Sequence, residues 1–109
     1  MTTTDLRDVH DQAAKALAAV EGDGGASPVL AAVTREFVRK ADKAIDLADG
    51  NREWEAVIEV EQAGDSAKAA AEADQGASEE TRAAVDAAHL SICMLKAGVA
   101  QSPSARSTL

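Results

Sequence analysis

A helix with apolar residues on two opposite sides has to be covered twice. Its own fold can supply one cover, and the second must come from somewhere else. The stretch 78–98, SEETRAAVDAAHLSICMLKAG, is such a helix. Ser78 is a suitable N-cap, and Glu79 and Glu80 suit the positive end of the helix dipole. Gly98, after Lys96 in the last turn, marks the expected stop. At about 100° per residue, Thr81, Val85, Ala88, Ile92, Leu95 and Val99 share one face. Ala83, Ala87, Leu90, Met94 and Ala97 share the roughly opposite face. A narrow seam between them carries Arg82, Asp86, His89, Cys93 and Lys96.

Three more helices precede it. Leu6, Val9, Ala13, Leu17 and Val20 make one stripe, which predicts a helix from about Thr4 or Asp5 to Glu21. The run Gly22–Gly25 ends it in a flexible loop. Ser27-Pro28 opens a second helix, with Leu30, Val33, Phe37, Ala41, Ala44 and Ala48 as its stripe. Its outer surface sets like charges four apart, Arg35 with Arg39 and Arg39 with Lys43, so packing has to hold it. A turn at Asp49-Gly50-Asn51 leads into a third helix near 52–74. That helix is rich in small residues, and Gly64 in its middle implies close backbone contact. No internal repeat is apparent from the apolar spacing.

Short loops make consecutive helices antiparallel neighbours. The expected fold is all-α, an up-down-up-down four-helix bundle. One domain over 1–98 and a flexible tail over 99–109 are expected, because the Ser-rich end carries Pro103 and no periodicity. The core is thin: one Trp, one Phe and no Tyr in 109 residues. A partner would add the buried area such a core lacks. The two-sided last helix therefore points to a homodimer through the third and fourth helices. Trp54, Ile58, Ala83, Ala87, Leu90 and Met94 are the candidate interface residues, with Trp54 as an anchor. A monomer with the fourth helix wrapped by the other three is the alternative.

The formal net charge of −8 disfavours nucleic acid and anionic membranes as ligands, and it would suit a basic protein partner. The acidic third helix, with Glu53, Glu55, Glu59 and Glu61, would carry that contact. The single cysteine permits no intrachain disulfide, and a reducing cytoplasm is the expected compartment. The first residues lack the basic region and apolar run of a signal peptide, and no apolar run approaches spanning length.

Reactive side chains cluster only in the seam of the last helix. Asp86, His89 and Cys93 lie three and four apart, a spacing that could offer three ligands to a zinc-like ion. Asp86-x-x-His89 also has the carboxylate-x-x-His form of di-iron bundles, but those need it twice with further carboxylates. The simpler reading is an Arg82–Asp86 surface pair, a half-buried histidine and a small apolar cysteine. A Cys93–His89 nucleophile pair can be drawn, yet nothing evident supplies an oxyanion hole. His10, at the edge of the first stripe, stands about one turn from the level of His89. No motif calls for a cofactor. Protein–protein association, as an adaptor, inhibitor or regulator, is the expected function. A metal-binding or catalytic bundle using Asp86, His89 and Cys93 is the alternative.

Overall fold

A computed structural model describes residues 2–48 and 52–101, with side chains described over 6–47 and 52–98. The chain forms α1 (Thr2–Glu21), α2 (Pro28–Ala48), α3 (Glu53–Ala73) and α4 (Glu79–Gln101). Each helix packs on the next, and α4 closes on α1. This is the expected four-helix bundle. The turn at 49–51 and the tail beyond 101 lie outside the described residues. The helix stop expected at Gly98 is not there. Gly98 keeps a helical backbone in open space, and α4 runs on to Gln101.

The core follows the predicted stripes with small rotations. Leu6, Val9, Ala13 and Val20 of α1 are buried, but Ala16 is buried in place of Leu17, which is half-buried. In α2, Leu30, Phe37, Ala41 and Ala44 are buried, and Thr34 rather than Val33 completes the row. Burying the Thr34 hydroxyl is tolerable because it donates to the Leu30 carbonyl at 2.7 Å. Thr81, Val85, Ala88, Ile92 and Leu95 of α4 face inward as expected. Gly64 does mark a close approach, but to side chains rather than backbone. A Cβ there would stand 3.1 Å from Phe37 Cζ and 3.2 Å from Ile92 Cγ2. The bulkiest core residue thus uses the space that Gly64 leaves.

Contrary to the reading from apolar spacing, the chain is an internal repeat. Asp23-Gly-Gly25-Ala26-Ser27 and Asp74-Gln-Gly76-Ala77-Ser78 are the same loop, 51 positions apart. The offset carries through both hairpins. Buried Leu6, Val9, Ala13, Ala16 and Val20 correspond to buried Val57, Val60, Gly64, Ala67 and Ala71. Buried Leu30, Thr34, Phe37, Ala41 and Ala44 correspond to buried Thr81, Val85, Ala88, Ile92 and Leu95. Few of these pairs are identical, so the repeat is one of burial and loop geometry more than of residue type.

The two loops meet at one end of the bundle and hold each other reciprocally. The Ser78 amide donates to Asp23 Oδ2 at 2.8 Å, and the Ser27 amide donates to Asp74 Oδ2 at 2.7 Å. Each aspartate also takes the amide two residues on, Gly25 at 2.9 Å and Gly76 at 3.0 Å. Ser27 and Ser78 cap their own helices, accepting from the amides of Leu30 (3.2 Å) and Thr81 (3.1 Å). A contact of i with j matched by j with i is the mark of a two-fold relation. Gly25 and Gly76 lie on that relation: a Cβ on either would collide with the carbonyl oxygen of the other. The expected flexible loop at Gly22–Gly25 is therefore a tied one.

The symmetry is broken at one point that affects charge. The Thr81 hydroxyl donates to Asp23 Oδ2 at 2.8 Å, whereas the equivalent residue beside Asp74 is Leu30. The Ser78 amide, then the Thr81 hydroxyl, hold the Asp23 carboxyl at about 2, below its ordinary value. Asp74 is lowered too, chiefly by the Ser27 amide.

Two predictions test this loop pair. Gly25→Ala or Gly76→Ala should cost about 1–3 kcal/mol in denaturant unfolding, the usual range for overpacking. Gly24→Ala, where a Cβ meets nothing within 4 Å, should cost less than either. A depressed folded pKa adds stability above the unfolded value, and that stability is lost as pH falls toward the folded one. The Asp23 contribution should therefore disappear between about pH 4 and pH 2, and Asp23→Asn should flatten the melting-temperature profile across that window.

Candidate functional site

The seam of α4 faces α3 and is closed by polar pairs along its length. Lys68 Nζ lies 3.3 Å from Asp86 Oδ1, His89 Nε2 lies 2.7 Å from Asp65 Oδ1, and Lys96 Nζ lies 2.9 Å from Glu61 Oε1. The simple Arg82–Asp86 pair does not form. Arg82 instead donates to the Asp74 carbonyl, and Asp86 is taken by Lys68. Cys93 Sγ is 3.6 Å from His89 Nε2. Burial first, then the charges of Glu61 and Asp65, push the Cys93 thiol up. A thiol held protonated is a poor nucleophile.

Asp86, His89 and Cys93 share a helix flank, as the spacing requires, but Asp86 is taken by Lys68 and His89 by Asp65, and Cys93 has only the long contact to His89. No group of three or more His, Cys, Asp or Glu side chains among the described residues is placed to hold a metal ion. His10 does not join them. Its fold equivalent in the second hairpin is Glu61, which pairs across α3–α4, so His10 lies on the α1–α2 side.

The acidic residues of α3 are also largely committed. Glu55 pairs with Arg52 at 2.9 Å, Glu59 with Lys40 at 3.0 Å, and Glu61 with Lys96. Binding to Arg39, in the same way, holds the Glu36 carboxyl below its ordinary range.

The other flank of α4 is different. Ala83, Ala87, Leu90 and Met94 are all exposed, Leu90 by 57% and Met94 by 66%. Ala87, Leu90 and Met94 border an open groove against α1, together with Asp8, Asp11, Gln12, Lys15 and Ser91. Trp54, 44% exposed on the first turn of α3, and half-buried Ile58 are not part of that groove. Of the six candidate interface residues, the groove takes in Ala87, Leu90 and Met94.

The repeat supplies an internal comparison for this face. The residues of α2 equivalent to Ala83, Ala87, Leu90 and Met94 are Ala32, Glu36, Arg39 and Lys43. The same surface is charged in one hairpin and apolar in the other. Across α2–α3, Lys40 bridges to Glu59; the equivalent pair across α4–α1 is Ser91 and Asp8, which leaves that side open.

Spacing along one helix singles out neither Asp65 nor Lys68 and places Glu61 only in the acidic cluster of the third helix, because cross-helix partners are invisible to it. The offset between the two Asp-x-Gly-Ala-Ser loops was the available signal. It aligns His89 with Val38 and Asp65 with Ala14, identifying the seam as a departure from an apolar template.

No protein-family model, curated protein or solved structure matches this chain. No helix among the described residues is long and apolar enough to cross a membrane.

If the His89–Asp65 pair is only a seam contact, the template residues can replace it. Asp65→Ala with His89→Val should leave unfolding free energy within about 1 kcal/mol of the parent, since partly exposed pairs are worth about 0–1. A loss several-fold larger would assign the pair a structural role.

Proposed function

We propose that the protein works by protein–protein association, as an adaptor, inhibitor or regulator, and that the outer face of α4 is its docking surface. One observation supports this reading most strongly. The fold does not require that face to be apolar, because the same face on α2 is built from Glu36, Arg39 and Lys43. Leu90 and Met94 leave most of their apolar surface in water, where it gains nothing. A partner that covers them accounts for their presence. The neighbouring small residues Ala83 and Ala87 let a partner helix approach closely.

The test uses a variant with the α2 residues carried onto α4: Ala87→Glu, Leu90→Arg and Met94→Lys. These positions are exposed, and α2 already folds with the same side chains there. The variant should keep the helical signal and melting temperature of the monomeric bundle. Captured from its native cells, the tagged parent chain should bring down a polypeptide in near-stoichiometric amount that the variant does not. Identical captures from the two would remove the docking reading.

A further inference from the structure

Building on that docking reading, we infer that the occupant of the α4 face is a second copy of this chain, with α4 packed antiparallel on α4 of the other copy. A two-fold interface has to be complementary to itself. The strip on α4 meets this condition in shape. Ala83, Ala87, Leu90 and Met94 are spaced four, three and four, which reads the same in both directions. The small residues occupy one half and the large ones the other. An antiparallel two-fold centred between Ala87 and Leu90 sets Leu90 of each copy over the partner's Ala87. It sets Met94 of each over the partner's Ala83. Large side chains meet small ones along the whole contact. A parallel two-fold would instead set Met94 and Leu90 against themselves, leaving Ala against Ala.

Two of the three charges beside the strip, Asp8 and Lys15, satisfy the same symmetry; the third, Asp11, lies between them near the two-fold and has His10 Nδ1 of its own copy at 3.7 Å. Asp8 lies near Met94 and Leu95, toward the C-terminal end of α4. Lys15 lies two turns further along α1, toward the Ala83 end. Both are exposed, and neither has an ion-pair partner among the described residues. The antiparallel arrangement brings Lys15 of each copy to within about one helical turn of the partner's Asp8 in level along the helix axes. Both signs are therefore answered by the same surface turned around. A purely basic partner would leave Lys15 opposed, and an acidic one would leave Asp8 opposed.

Sedimentation equilibrium on the full chain tests this. The parent should be dimeric at about tens of micromolar, as expected for an interface of modest size. The Ala87→Glu, Leu90→Arg, Met94→Lys variant should dissociate at least tenfold more readily. Lys15→Glu alone should weaken the dimer several-fold, and adding Asp8→Lys should restore it to within about threefold of the parent. A parent that stays monomeric at about 100 μM overturns the self-pairing. So does a dimer unaffected by the triple substitution, or a charge swap that fails to restore. If the parent is monomeric yet captures another protein that the triple variant loses, self-pairing falls and the docking surface stands. If the variant changes neither mass nor capture, both fall.

Discussion

The backbone contact between Gly25 and Gly76 sets how the two hairpins meet. It brings the loops close enough for each aspartate to reach across and cap the other hairpin's second helix. Asp23 satisfies the Ser78 amide and Asp74 the Ser27 amide, so each helix start depends on the opposite loop. Once these four residues are in place, the register of both hairpins is fixed, and the two sets of buried residues meet at matching levels. The thin core fits this scheme. Where helices are positioned by their loop ends, Ala, Val and Gly64 can fill the interior without large aromatics, and Phe37 takes the space opposite Gly64.

The repeat separates what the fold requires from what it does not. The ten helix positions buried in one hairpin are buried in the other, which is the requirement of packing. The outer positions have diverged. Between α3 and α4 the second hairpin uses Lys68–Asp86, His89–Asp65 and Lys96–Glu61, where the first has Leu17 and Arg35, Val38 and Ala14, Ile45 and His10. On the outer face the change runs the other way, from Glu36, Arg39 and Lys43 on α2 to Ala87, Leu90 and Met94 on α4. Polar groups have moved to the α3 flank of α4 and apolar ones to the α1 flank. The α1 flank is the surface for which the bundle itself has no use.

Much of this was legible in the sequence, and the rest was hidden for identifiable reasons. Steps of three and four placed Thr81, Val85, Ala88, Ile92 and Leu95 inside and Ala83, Ala87, Leu90 and Met94 outside. The caps Ser27 and Ser78 were readable from their type and position. Gly98 misled, because glycine ends a helix only when it adopts the left-handed conformation. Arg82 and Asp86, four apart, read as partners, because spacing along one helix says nothing of Lys68 on the next. The repeat escaped because core residues were substituted within the apolar class, Leu6 for Val57 and Phe37 for Ala88, leaving identity mainly in the loop. A search for loop motifs at fixed offset, rather than for apolar rows, finds it.

On the proposed self-pairing, the second hairpin's outer face meets its copy and the first hairpin's equivalent face does not. Backbone amide shifts of the full chain, followed by NMR over a concentration series, test it residue by residue. Movement is expected at Ala83, Ala87, Leu90 and Met94 and on the α1 rim from Asp8 to Lys15, with Ala32, Glu36, Arg39 and Lys43 unmoved. Spectra that do not change with concentration, or changes that fall on α2 instead, would contradict it.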